Sequence, residues 1–473
     1  MPRQLWIPAT AIAALAFIRW GLPGATYEAG PDDAFITYRY AWNIAHDHGF
    51  VFNPGDPPVQ GTSTPAYTLL LTVGTLVTGV NIPSLSVLIG GLASAGCAAL
   101  LVLLGAQLGY KSAGIAAALI FATSPFTSAY LRGMETPLYI LLILGAFSAT
   151  LRGHQTLALT VAALAVLVRL DGLAVFAVAL GYFALSRRLA WAALVPAAGL
   201  LGAWFTFATL EFGSPVPASG LAKIAHEATI SGSFSLISRP FIYLLMPPVA
   251  VSVYMALVAV LAVLALSPVV LIASRKSSGA LLAIWCVLYV AGFVGLGLPS
   301  FSWYYAPIAV VFNLLVWGFL EGLRRFPGHV VLGAASGMAL LSLFLPLSTS
   351  ESLVSPPAYW AAGQWLKEHA EPEATVAAYE VGMVGYVTNL KVIDLLGLTE
   401  PAARAHVRKG DYAWAIRDLN PTYIFAHARR VPGWPVTEAI YTSPEFVSNY
   451  HLVARFPITE SSDYLLYERN AEP

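Results

Sequence analysis

Two adjacent carboxylates, Asp32 and Asp33, head the run Gly-Pro-Asp-Asp-Ala-Phe-Ile-Thr-Tyr-Arg-Tyr (30–40) in a chain that is otherwise mostly apolar. A carboxylate can take a proton from an attacking hydroxyl. On a helix starting near Pro31, Asp32 and Arg39 share a face, and Asp33, Thr37 and Tyr40 lie along the neighbouring stripe. Phe35, Tyr38 and Trp42 fall at i, i+3 and i+7 and give an apolar side. The pattern predicts a short amphipathic helix lying at a membrane surface, with acids in its first turn. The plainer alternative is that Pro31 stands at or near N1 and one Asp caps the helix. That accounts for one acid and not for both.

Further ionisable and aromatic groups recur at the ends of apolar runs. They are Arg132 and Glu135, Arg169 and Asp171, Lys223 and His226, and Ser302-Trp303-Tyr304-Tyr305. Arg and Lys can hold a phosphate leaving group and stabilise its growing charge. Trp and Tyr can stack on sugar faces or form an interfacial belt. Arg169 and Asp171 also admit a purely structural reading, as a pair that neutralises itself. His46 and His48 lack partners at metal-ligand spacing and read as loop histidines. Asn53-Pro54-Gly55-Asp56 reads as a turn.

The elements that position these groups are hydrophobic spans. The 473 residues are 58% hydrophobic and 11% charged, with a mean hydropathy of +0.70. Soluble domains carry about 25% charge, so the chain reads as a polytopic α-helical membrane protein. No basic patch suggests nucleic acid, and Cys97 and Cys286 lie in apolar runs without disulfide or metal spacing. The opening apolar run lacks a small-residue cleavage site before Arg19 and Trp20 and reads as the first span rather than a signal peptide. Candidate spans are 5–22, 84–108, 113–131, 136–151, 156–168, 173–185, 190–210, 244–273, 280–298, 304–320 and 330–347; the run 65–79 is marginal. If 65–79 makes no net crossing, Lys111, Arg152, Arg187-Arg188, Arg275-Lys276 and Arg324-Arg325 all fall inside. The positive-inside rule therefore favours about eleven crossings plus a re-entrant or juxtamembrane helix. The first outer loop (23–64), the other acid–base groups and the polar C-terminal part then share the outer side. From about residue 350 short strands at 375–379, 391–396, 422–426, 451–456 and 464–467 interleave with helices at 359–369, 401–408 and 412–419. This predicts a transmembrane domain, 1–349, and a small soluble α/β domain, 350–473.

No phosphate-binding or dinucleotide-binding glycine motif is present. The chain resembles the GT-C-fold glycosyltransferases, membrane enzymes that use polyprenyl-phosphate sugars and carry an acidic pair in the first outer loop. The resemblance rests on Asp32-Asp33 with the residues to Ala41, His-Gly-Phe-Val-Phe-Asn-Pro-Gly (48–55), Gly-Met-Glu-Thr-Pro-Leu (133–138), Arg-Leu-Asp-Gly (169–172), the run 213–223 and Asp394-Leu-Leu-Gly-Leu-Thr. In order along the chain these are similar to mycobacterial arabinofuranosyltransferases and their bacterial relatives. Where such loops often carry Pro-Asn-Thr, this chain has Pro217-Ala218-Ser219.

The resemblance implies Asp32 as first choice for the catalytic base and Asp33 as second. Asp33 is the alternative group for orienting the acceptor or holding a divalent metal, which some such enzymes use and others do not. Arg39, Arg169 and Lys223 become candidates for the donor phosphate. Glu135 and Asp171 would steady those cations or bind sugar hydroxyls, Trp303 and Tyr304 would line the donor groove, and Asp394 would reach the cavity or merely form a turn before Gly397. The expected activity is inverting transfer of a sugar, arabinofuranose being one option, from a polyprenyl-phosphate donor to an extracytoplasmic glycan, glycolipid or protein. The expected setting is a bacterial cytoplasmic (inner) membrane with the site facing outward. The alternatives are a flippase or transporter of lipid-linked sugars and a non-catalytic envelope-assembly subunit.

Overall fold

The computed structural model describes residues 3–21, 31–124, 132–227, 277–296, 302–323, 327–344, 357–428, 435–459 and 462–471. Apolar runs become helices close to where hydropathy placed them. They are α1 (Trp6–Gly21), α4 (Ile82–Leu108), α5 (Lys111–Thr123), α6 (Thr136–Leu151), α7 (Gln155–Val168), α8 (Leu173–Leu185), α9 (Val195–Phe212), α11 (Ser277–Gly295), α12 (Ser302–Gly322) and α13 (Gly328–Phe344). Before α4 come α2 (Asp32–Ala45) and α3 (Pro65–Thr78), and α10 (Ala218–Glu227) follows α9. Among the described residues three helices are by themselves long and apolar enough to cross a membrane, within Ile82–Leu108, Trp191–Phe212 and Trp303–Gly322. The expected span 244–273 lies outside the described residues.

Contacts along the helices fix their directions. The α4 and α6 helices run parallel, with Gly96 against Leu141 near the middle and Gln107 donating to the Ser148 hydroxyl at 3.1 Å near their ends. The chain turns back into α5 at a close approach of Gly105 to Gly114, where a Cβ on Gly105 would come within 2.4 Å of the Gly114 Cα. At that end Glu321 of α12 accepts the Ala113 N–H at 2.7 Å and the Ser112 N–H at 3.3 Å, satisfying the first amides of α5. Lys111, Arg152, Arg187 and Arg188 are exposed at this same end. The basic pairs at 275–276 and 324–325 lie outside the described residues.

The marginal run forms α3, and the residues on either side of it meet the same part of α2. Thr64 before it bonds Thr37 of α2, while Ser86 in the second turn of α4 is hydrogen-bonded to Tyr38 of α2. Both ends of the segment are therefore held at one level.

The C-terminal part has the expected α/β character. It opens with α14 (Pro357–His369) and builds a sheet from β1 (Thr375–Ala378), β2 (Lys391–Asp394), β3 (Tyr423–His427), β4 (Tyr450–Thr459) and β5 (Ser462–Arg469). The strand order is β2-β1-β3-β5-β4, with β2, β1 and β3 parallel and the other two pairings antiparallel. Short helices α16 (Ala403–Val407) and α17 (Trp414–Leu419) match expectation, whereas α15 (Gly382–Thr388), α18 (Pro435–Thr442) and α19 (Pro444–Asn449) were not foreseen. Each has only six to eight residues, too few for a 3.6-residue period to emerge.

The amphipathic surface helix expected at 32–45 takes a different form. Phe35, Tyr38 and Tyr40 belong to one buried cluster with Val376, Ile424 and Phe425 of the sheet, separate from the cluster formed by the spans. Phe35 and Tyr38 pack edge-on against Tyr386 of α15. The side read as membrane-facing is thus covered by the cap.

Candidate active site

Helix α2 is clasped from both sides, and that clasp sorts its charged residues. Pro31 is its N-cap and no side chain caps it, so neither Asp plays the expected capping part here. Asp32 is 4% exposed and caps a different helix. Its two oxygens accept the backbone N–H of Gly382 at 2.8 Å and of Met383 at 2.7 Å, the first amides of α15. Gly382 is required by the approach: a Cβ there would lie 2.0 Å from the Asp32 carbonyl oxygen. Burial pushes the Asp32 carboxyl up to about 7, with Asp33 and Asp394 adding to the rise and the two N–H groups opposing it.

Arg39, expected at the donor phosphate, does not reach the cavity. Its guanidinium donates to the Phe52 carbonyl at 2.5 Å, the Leu390 carbonyl at 2.7 Å and Asn53 Oδ1 at 3.1 Å. It ties α2 to the following loop and to the cap. The turn expected at 53–56 is present, closed by the Asp56 N–H on the Asn53 carbonyl. Asn53 also pairs with the edge strand β2, donating to the Val392 carbonyl and accepting its N–H, both at 3.0 Å. Asp394 takes the duller of its two roles. It is fully buried and accepts the N–H groups of Leu396, Gly397 and Thr399 in a turn.

A cavity of about 650 Å³ lies below this clasp, and it gathers Asp33, Glu135, Arg169, Asp171, Lys223, Trp303 and Tyr304. Asp33 comes from α2 and Lys223 from α10, and the others come from the ends of apolar runs, Arg169 with Asp171 at one and Trp303 with Tyr304 at another, as the one-sided charge pattern anticipates. Arg169 closes α7 in an extended conformation. It bonds Glu135 at 3.2 Å and both oxygens of Asp171 at 3.1 Å, and its guanidinium carbon stands 5.0 Å from the Tyr304 ring centroid. Tyr289 completes this group by donating to Asp171 at 2.9 Å. Lys223 faces Asp33 at 3.3 Å and the Tyr304 hydroxyl at 3.4 Å. Burial works against its charge, but Asp33 and Tyr304 outweigh burial and hold its pKa above the ordinary lysine value. Two cations, each already neutralised by carboxylate, therefore share one cavity and one tyrosine.

The rest of the lining is of two kinds. Leu173, Ala174, Ala177, Leu288 and Leu296 make an apolar side, with Leu173, Leu288 and Leu296 about half exposed. Thr37, Thr62, Ser63, Thr64 and Ser219 make an uncharged hydroxyl side. Tyr40 positions the latter by donating to the Val59 carbonyl at 2.6 Å and accepting the Gly61 N–H at 3.0 Å.

Glu380, which the sequence did not single out, stands near these acids without lining the cavity. Burial holds its carboxyl well above the usual range; Asp32, Asp33 and Asp394 push it further and Lys223 opposes them. Its position directly after a parallel strand, β1, is the signal that could have found it, since ligands gather at the carboxyl ends of such strands.

The donor set does not suit a divalent cation as arranged. Asp32 spends both oxygens on amides, Asp33 faces an ammonium, and among the described residues no three acidic, imidazole or thiol groups converge as ligands. The side chain of His226 lies outside the described residues.

Residues 350–467 match a family model described as a domain of unknown function, DUF8728. No curated protein sequence matches the chain. In structure it is similar to ArnT from Cupriavidus metallidurans bound to undecaprenyl phosphate, with 13% identity over 98% of each chain and a TM-score of 0.57. It is similar also to the Archaeoglobus fulgidus oligosaccharyltransferase complexed with Zn and sulfate, with 14% identity over 88% of this chain and 67% of that one and a TM-score of 0.55. A third similar structure is AglB of Archaeoglobus fulgidus with an inhibitory peptide and a dolichol-phosphate, at 12% identity, 89% and 69% coverage and a TM-score of 0.51. At such identities the likeness establishes the fold, and that fold is the GT-C arrangement of lipid-sugar glycosyltransferases expected from the motifs.

Proposed function

We propose that the protein is an inverting glycosyltransferase that moves a sugar from a polyprenyl-phosphate donor to an acceptor hydroxyl or amide on the extracytoplasmic side of a bacterial inner membrane. The observation that carries this reading is the Asp33–Lys223 pair in a cavity with a partly exposed apolar side. The apolar side suits a prenyl chain, and the two cations suit the phosphate that links chain to sugar. The similar structures solved with undecaprenyl phosphate and with dolichol-phosphate support this assignment. Motifs resembling arabinofuranosyltransferases make a neutral pentofuranose the first donor to try.

The chemistry is one displacement. The acceptor's lone pair forms the new bond to the anomeric carbon, and the bond from that carbon to the phosphate oxygen breaks. The electrons of the broken bond leave with the lipid phosphate, whose added charge Lys223 and Arg169 offset. Asp33 takes the acceptor proton. Asp33 has this part in place of Asp32 because it lines the cavity, whereas Asp32 is committed to α15. Donor phosphate competes with Asp33 for the Lys223 ammonium, so donor binding frees the base for the acceptor.

The test measures transfer from synthetic polyprenyl-phosphate sugars by purified protein, with donor binding followed separately. Asp33→Asn should lower turnover about 100-fold or more without weakening donor binding, because the Lys223 ammonium loses the carboxylate that competes with the phosphate. Arg169→Met should weaken donor binding by about 10-fold or more. Normal turnover in Asp33→Asn would remove Asp33 as the base. Failure of the wild type to bind any polyprenyl phosphate would remove the donor class.

A further inference from the structure

The hydroxyl side of the cavity is unlike the rest of it. The hydroxyls of Thr37, Thr62 and Thr64 are hydrogen-bonded to one another at 3.0–3.2 Å, and all three residues are buried. Thr37 lies one helical turn beyond Asp33 on α2, so this cluster begins next to the proposed base. In the same wall Ser219 is 5% exposed, lines the cavity, and has a hydroxyl with no hydrogen-bond partner. Behind them Gln60 is 2% exposed with neither amide atom bonded, although its carbonyl accepts the Ala218 N–H at 2.9 Å. A buried polar group left unpaired is costly, and two of them flank this one wall. No ionisable residue occurs in 60–64 or 216–221, the segments that build the wall.

We infer that this wall is the subsite for the sugar ring of the donor, and that the transferred sugar is uncharged. The inference rests on the lipid-phosphate reading above and adds the substrate class to it. A hydroxyl both donates and accepts, so a cluster of hydroxyls matches the alternating needs of sugar hydroxyls. A uronic acid would bring its carboxylate beside Asp33, and an amino sugar would bring an ammonium to segments 60–64 and 216–221, which hold no counter-charge, leaving it only Asp33, which the proposed reaction needs for the acceptor proton. The fixed charges of the cavity are held in the Arg169 and Lys223 groups, where the phosphate belongs. The wall residues Thr37 and Ser219 therefore set which glycosyl group is accepted, and they do so without touching the lipid.

The experiment compares binding of bare undecaprenyl phosphate with that of synthetic polyprenyl phosphates carrying a neutral pentose, a neutral hexose, an amino sugar or a hexuronic acid. Wild type, Ser219→Ala, Thr37→Val and Thr37→Ser are measured in detergent, with thermal unfolding as the check on folding. Ser219→Ala removes a hydroxyl that makes no bond in the fold, so this variant keeps its stability. A neutral sugar should tighten wild-type binding about 10-fold or more over the bare lipid, the worth of several hydrogen bonds. Ser219→Ala and Thr37→Val should each lose about 3- to 10-fold of that gain, Thr37→Ser should keep it, and none should change binding of the bare lipid. Tightest binding of a charged sugar would overturn the inference. So would equal weakening of bare and glycosylated lipid by Ser219→Ala, or an effect of the variants on the acceptor KM alone. A wild type that binds the bare lipid yet gains nothing from a neutral sugar overturns this inference only. A wild type that binds no lipid phosphate overturns the donor reading, and this inference falls with it.

Discussion

Asp32 and Asp33 are adjacent in the chain and point into different environments. One holds the cap and the other faces a lysine across the cavity. No sequence rule separates them, because the partner that claims Asp32 lies 350 residues away in α15. The displaced pKa of Asp32 gives the assignment a pH signature. Its carboxyl is pushed up to about 7 by burial, against about 4 for an aspartate in an unfolded chain. The folded protein thus binds this proton more tightly. The stability it contributes is complete below about pH 4 and is lost as pH rises to about 7. Glu380 and Asp394 are shifted the same way and reinforce the trend. The unfolding temperature in detergent should therefore fall between pH 4 and 7 and level off above. Asp32→Asn should start lower, because its amide NH₂ can accept neither N–H and leaves one amide of α15 unbonded at a cost of about 1–3 kcal/mol. It should also fall less steeply. A flat wild-type profile would show that Asp32 keeps an ordinary pKa.

Among the elements, the apolar helices and the strands were legible because each carries its period and its terminators locally. The Asn53 turn and the C-terminal strands appear within a few residues of their expected places. What was not legible was the partner of α2. Its apolar side signals only that something must cover Phe35 and Tyr38, and membrane and cap satisfy that signal equally. The placement of Arg39 outside the cavity was hidden for the same reason, since a guanidinium bonding carbonyls cannot be told in sequence from one awaiting phosphate. The contact between α2 and α15 makes a sharp prediction. Gly382→Ala drives a methyl into the Asp32 carbonyl oxygen, 2.0 Å from the ideal Cβ position. Overpacking of this kind costs about 1–3 kcal/mol. The variant should expose the cap to limited proteolysis and depress transfer while bare undecaprenyl phosphate still binds. Unchanged protease resistance would mean that α2 and α15 are not held in register by this contact.

At the scale of the molecule, charge and cavity divide the bundle into two ends. The cavity and cap occupy one, and Lys111, Arg152, Arg187 and Arg188 the other. With the native cysteines removed, a cysteine at exposed Glu373 in the cap should react with an impermeant thiol reagent in intact cells, and one at Arg187 should not. The reverse pattern would place the site in the cytoplasm. The shared core of α2 and the sheet also has a temporal consequence. Helix α2 is made more than 400 residues before Tyr464 and Leu466, which belong to the same buried cluster. Contacts between such distant positions form late, because the loop between them must first be closed. During translation α2 thus waits without the sheet that buries Phe35 and Tyr38. On the proposed function, transfer then begins only once residues 375–469 have been made and folded onto α2.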